Sequence, residues 1–127
     1  MKIDFKVSGL ASITRRIAEA VRRVLTGAQE GTTEVAERIA EKSRVVYVPI
    51  DTGALRDSIK VETKNSWFSS TSSVVAGGPT APYAVVVHEI QKGYRFGKSW
   101  KYIEIPAKEE SKDIPIIIGS KIRAKLG

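Results

Sequence analysis

The chain has 127 residues, 42% hydrophobic and 28% charged, with 10 Gly and 5 Pro. That balance fits one globular domain with a modest core and excludes a disordered tail or a collagen-like repeat. It has no Cys and a single His, which excludes thiol catalysis, structural disulfides and a multi-histidine metal site. The formal charge is +7 and unevenly spread. Residues 1–45 carry nine Lys/Arg against six Asp/Glu, residues 46–89 three against four, and residues 90–127 nine against four. A basic end suits an acidic partner: nucleic acid, a membrane surface or an acidic protein face. The plainer reading is a soluble basic protein, because no basic run is dense and few aromatics interleave with the cations. No apolar run approaches the roughly 18 residues of a membrane span, so no membrane partner is expected. Met1 to Phe5 lacks an apolar signal core, so export is not expected either.

Ile3, Phe5 and Val7 alternate with Lys2, Asp4 and Lys6, the pattern of a half-buried strand that ends at Ser8-Gly9. Residues 12–44 read as helix. Ile13, Ile17, Val21, Val24, Ala28, Val35 and Ile39 share one side at 100° per residue. The phase survives Gly27 and Gly31, although Thr26-Gly27-Ala28-Gln29 resembles a capping box where the helix could break. Unbroken, it would be roughly 45–50 Å long, against the roughly 30 Å width expected of such a domain. A helix that overhangs its own domain tends to pack on a neighbour. Its charges also run against the macrodipole, with Arg15, Arg16, Arg22 and Arg23 early and Glu30, Glu34, Glu37 and Glu41 late. That order suits a staggered contact with another subunit, making Arg15 and Arg22 candidate interface residues; a merely solvated face is the bland alternative.

Val45 to Val48 is an apolar run stopped by Pro49. Asp51 is placed to cap a short helical turn over residues 52–57. Ile59, Val61 and Thr63 alternate as a strand, and Lys64-Asn65-Ser66 reads as a turn. Ser69 to Ser73 reads as a loop or hairpin tip, and Val74 to Ala76 as a short strand before Gly77-Gly78-Pro79. Tyr83 to His88, with three consecutive valines, reads as a strand. Residues 91–99 form a basic loop. Trp100, Tyr102 and Ile103 return to the core. Pro106 opens a last helix whose apolar side is Ile114, Ile117, Ile118, Ile122 and Leu126, with Pro115 kinking or restarting it. The order gives an α+β fold over residues 1–127: a long N-terminal helix on a small antiparallel sheet of four or five strands, and a C-terminal helix.

Few constellations carry chemistry. Asp51-Thr52-Gly53 has the form of a homodimeric aspartic protease motif, in which each subunit supplies one Asp, and Ile116-Ile117-Ile118-Gly119 adds superficial support. The long helix ahead of it and Pro49 argue instead for a cap and a turn glycine. Gly93 to Lys98 lacks the spacing of a phosphate cradle. On a strand, His88 and Glu89 would point to opposite faces, so a surface or satisfied histidine is expected. Asp57, Glu62 and Glu104 have no metal-ligand spacing, and no cofactor is implied.

Three segments in order resemble the head–tail joining family of the long-tailed phages, also called neck, tail-completion or minor capsid proteins. Val48-Pro49-Ile50-Asp51-Thr52-Gly53-Ala54-Leu55-Arg56-Asp57-Ser58-Ile59 is similar to the family's Pro-x-Asp-Thr-Gly-x-Leu-Arg-x-Ser-Ile signature. Ala81-Pro82-Tyr83 to Glu89 resembles its Tyr-Ala strand closing on Glu. Gly97-Lys98, with Trp100 to Ala107, resembles the stretch before its terminal helix. The resemblance implies a virion component and not an enzyme. It implies rings, commonly hexameric, that terminate the tail tube or join it to the head, with neck, connector and tail-tube proteins as partners. The fold and assembly motif would comprise Asp51, Thr52, Gly53, Leu55, Arg56, Tyr83 and Glu89. Arg56 would pair with Glu89, fixing helix to sheet. Lys92, Arg95, Lys98 and Lys101 would face an acidic ring neighbour or, without sequence preference, the DNA in the lumen. A small basic nucleic-acid-binding module is the remaining alternative.

Overall fold

The computed structural model describes residues 1–8, 15–49, 53–66, 69–89 and 101–127. The expected helix start at Ser12 and the basic loop 91–99 lie outside the described residues. The elements in order are β1 (Lys2–Ser8), α1 (Arg15–Lys42), a π-helical turn (Ser43–Tyr47), α2 (Ala54–Ser58), β2 (Lys60–Asn65), β3 (Ser69–Val75), α3 (Ala84–Glu89), α4 (Glu104–Glu110) and α5 (Ile114–Leu126). The fold is α+β, as its sequence implies, with fewer strands than expected: three in the described residues.

The 28 residues of α1 span about 42 Å. Gly27 does not break it, and the Thr26 hydroxyl bonds back to the Arg22 carbonyl, 3.0 Å away. The two glycines serve another purpose. An alanine methyl at Gly31 would stand 2.8 Å from the Ile118 Cα, so α5 lies almost backbone-on-backbone against α1. Ion pairs Lys125–Glu30 at 2.9 Å and Lys121–Glu34 at 4.0 Å run in the same antiparallel sense. The overhang expected to need a neighbouring subunit is thus partly covered by the chain's own last helix. Pro115 sits in the first turn of α5, where its missing N–H costs nothing; it restarts the helix after a turn at residues 111–113.

The sheet is antiparallel with order β1-β3-β2. Register places Lys2, Val75 and Lys60 in one row, Asp4, Ser73 and Glu62 in another, and Lys6, Thr71 and Lys64 in a third. Lys6 aside, the side chains of these rows form the face turned away from α1. Ser70, Ser72 and Val74, on the opposite face of β3, are all fully buried. Ser69 to Ser73 is therefore a central strand and not the expected loop tip. The Thr32 hydroxyl meets Ser70 Oγ at 3.0 Å and accepts from Ser72 Oγ at 3.3 Å. Ser72 also lies 3.3 Å from the Thr63 hydroxyl, and Ser70 donates to Asn65 Oδ1 at 2.9 Å. A seam of hydroxyls, satisfied by one another, replaces apolar packing between α1 and the sheet.

Beyond the seam the core is apolar: Val35, Ile39 and Ala40 of α1 meet Val48, Leu55, Ile59, Val74, Tyr102, Ile103 and Ile117. The segment read as a strand over Tyr83 to His88 is the helix α3. Three consecutive valines disfavour that state locally, and tertiary anchors override them. The buried Tyr102 hydroxyl donates to the Ala84 carbonyl at 2.8 Å, and the Lys101 N–H donates to the His88 carbonyl at 2.8 Å. Ala84 also packs beside Gly77, whose φ of 109° puts it in the left-handed region.

Candidate functional site

Two regions hold most of the described residues singled out by sequence. The first is the Asp-Thr-Gly segment. Asp51 and Thr52 lie outside the described residues. Gly53 has φ 88°, a left-handed conformation that L side chains rarely adopt, and serves as the residue before α2. It opens a helix and not the all-β loop a protease would need. Leu55 is buried in the core at 4% exposure. Ser58 Oγ donates to the Leu55 carbonyl at 2.6 Å and accepts the Gly77 N–H at 3.0 Å, tying α2 to the loop before α3.

The second region is the junction of α3 and α4. His88 is 3% exposed. Its Nδ1 lies 2.7 Å from Glu89 Oε1, and its Nε2 accepts the Glu104 N–H at 3.3 Å. That acceptance leaves Nδ1 as the protonated nitrogen of the neutral ring, donating to Glu89. The ring stands edge-on to Tyr102, with centroids 4.9 Å apart. The two side chains meet, contrary to the opposite-face expectation, because the segment is helical. Glu89 also takes the Lys101 ammonium, which lies 3.5 Å from Glu104 as well. Lys101, and then His88, hold the Glu89 carboxyl below its ordinary range; the same pairing raises Lys101.

The expected Arg56–Glu89 pair is not what forms. Arg56 folds over Gly53 and pairs with Asp57 at 3.0 Å, while Glu89 is engaged by Lys101. Lys101 is accordingly part of the fold's own ion-pair cluster. It has φ 55°, unusual for a lysine, at the point where the chain turns into α4. Tyr83 is 40% exposed just before α3. Arg22 is exposed on α1, beside Arg23 and Lys125. Arg15 opens α1, with its side chain outside what the structure describes. Lys92, Arg95 and Lys98 lie outside the described residues.

Two residues that sequence reasoning passed over hold the region together. Arg44, in the π-helical turn, places Nε and Nη2 at 3.0 and 2.8 Å from the Ile59 carbonyl. Nothing in the sequence distinguishes it from other helix cations. Ser58 did carry a signal, since it stands inside the Asp-Thr-Gly signature. Among the described residues no group of three His, Cys, Asp or Glu side chains could hold a metal ion. No helix among them is long and apolar enough to cross a membrane.

Among the described residues the arrangement is one of side chains that tie elements together, in place of groups converging on a reacting atom. No curated protein and no solved structure matches the chain. The model of one family, described as "Bacteriophage HK97-gp10, putative tail-component", matches residues 8–105. That span takes in α1, the whole Asp-Thr-Gly region, the hydroxyl-rich strand and the α3–α4 junction. The chain belongs to the HK97-gp10-like family of bacteriophage tail components.

Proposed function

We propose that the chain is a structural subunit of the virion which terminates the tail tube or joins it to the head, as one copy in a ring, and carries out no catalysis. The family supports the tail setting. The observation that carries the assembly reading is the outer side of α3. Tyr83, Val85 and Val86 are 40%, 50% and 52% exposed, while Ala84 and His88 of the same short segment are buried. The anchors from Tyr102 and Lys101 hold this apolar surface in place. Exposed valines stabilise neither the helix nor the core, and rigid apolar side chains at a surface suit a protein partner. Neck and tail-tube proteins would be the partners of this patch, and the neck or tail end of the virion its location.

Phage carrying Val85→Ser and Val86→Ser tests the reading. Electron micrographs should show tailless heads and free tails of unregulated length. The purified variant should keep its stability to within about 0.5 kcal/mol, as surface changes do. Normal virions built from the stable variant would overturn it.

A further inference from the structure

The ring of His88 joins two helices through a bond that only its neutral form can make. Nε2 accepts the N–H of Glu104, 3.3 Å away. That N–H opens α4, and Ile103 ahead of it makes no side-chain cap. A protonated Nε2 would turn a hydrogen toward the same N–H and set two donors face to face. The ring is 3% exposed, so solvent can take up neither donor unless the chain moves. The other nitrogen works in the opposite sense. Nδ1 lies 2.7 Å from Glu89 Oε1, and a second proton on the ring makes that hydrogen bond an ion pair. Glu89 belongs to α3 itself, whereas the Lys101 ammonium that it also holds belongs to the turn into α4. The proton therefore strengthens a contact inside α3 at the expense of contacts between α3 and α4.

The other charges around the ring are already engaged. Glu104 is held by Lys101 at 3.5 Å and by Lys108 at 3.8 Å, and Lys2 of β1 pairs with Asp4 at 3.9 Å. A cleft of about 530 Å³ runs between the start of β1, with the Met1 amino terminus, and α4, and His88, Glu89, Lys101 and Glu104 stand in its wall. It gives a proton a path to the ring and the first turn of α4 room to shift. Imidazole ordinarily changes charge between about pH 5 and pH 8, and His88 is the chain's single histidine. We propose that His88 is a proton-operated latch. Neutral, it fastens α4 to α3; doubly protonated, it lets go of the Glu104 N–H and loosens α3, which carries the apolar patch of Tyr83, Val85 and Val86. That this loosening governs docking rests on the reading of the patch given above; the latch itself does not.

Nitrogen NMR of the whole chain reads the one imidazole without overlap. At about pH 8, Nδ1 should carry the proton and Nε2 none. As the pH falls toward about 5, the Glu104 amide should lose about fivefold in exchange protection, beyond the intrinsic pH dependence of exchange. The loss should share the midpoint of the ring's own titration. The Val87 amide, which donates to the Tyr83 carbonyl at 3.0 Å, should follow. Glu89, held below its ordinary value by Lys101 and then His88, does not share that midpoint. His88→Gln places a carbonyl oxygen within reach of the Glu104 N–H and has no proton to gain, so its Glu104 amide should stay protected throughout. A ring protonated at Nε2 at about pH 8, or a Glu104 amide equally protected on both sides of the titration, would overturn the latch. So would a folded His88→Gln whose Glu104 amide opens as in wild type; if that variant does not fold, the two wild-type readings decide alone. None of these readouts involves a partner, so the latch can fail while the docking reading holds, and the reverse.

Discussion

Gly27 and Ile122 meet backbone to backbone: an alanine methyl at position 27 would stand 2.6 Å from the Ile122 Cα and 2.8 Å from its nitrogen. Neither atom is the end of a flexible side chain, so α5 must move if position 27 gains a carbon. Gly27→Ala should raise helix propensity by about 1 kcal/mol and lose more through overpacking, of order 1–3 kcal/mol. The expected outcome is a lower urea midpoint and faster amide exchange in α5. A variant at least as stable as wild type, with α5 equally protected, would show that the close approach does not matter.

The seam at Thr32 makes a second prediction. Thr32→Val keeps the shape and removes the hydroxyl that Ser70 and Ser72 face at 3.0 and 3.3 Å. Both serines keep another partner, so the loss should be near the low end for a broken buried hydrogen bond, about 1 kcal/mol. Thr32→Ser should recover most of it. Denaturant unfolding of the pair measures this; equal stability of Thr32→Val and wild type would mean the hydroxyls contribute nothing net.

The α3–α4 junction should be sensitive to acid. Lys101 and His88 lower the Glu89 value from its ordinary 4.5, so the stabilisation is complete above that pH and is lost as pH falls through the depressed value. Lys101, raised above its ordinary 10.5 by the same carboxylate, contributes fully below 10.5 and loses its part as pH climbs through the raised value. Glu89→Gln should flatten the acid limb of a plot of melting temperature against pH. Glu109, lowered chiefly by the Tyr47 hydroxyl and then by Lys42, adds an acid limb of its own, so the comparison is best repeated in Glu109→Gln. Parallel acid limbs for Glu89→Gln and its parent would dispose of the idea.

How far the sequence was legible depended on whether a residue's role is set near it in the chain. The helix α1 was legible because its apolar spacing is a local property that two glycines do not disturb. The purpose of those glycines was not, since it depends on Ile118 and Ile122 about ninety residues later. β1 could be read from its alternation, but β3 could not. Ser70 and Ser72 look like loop residues until Thr32 and Thr63 are beside them. Val85 to Val87 favour a strand by themselves; Tyr102 and Lys101, which hold them helical, come later in the chain. In the site, Leu55 and Gly53 behaved as a core residue and a turn glycine should. The partner of Glu89 was misassigned because sequence does not say which of several cations arrives first, and Lys101 is delivered by the unusual backbone turn at its own position.

Among the described residues β1 and β2 are the outer strands of the sheet, and both alternate charge along their sequence: Lys2, Asp4 and Lys6 on one, Lys60, Glu62 and Lys64 on the other. Lysines spaced this way along a border make it a poor template for a foreign strand. Such a border gives newly made copies little purchase for zipping into ladders or fibrils. Their meeting is left to surfaces whose grip can be released and remade.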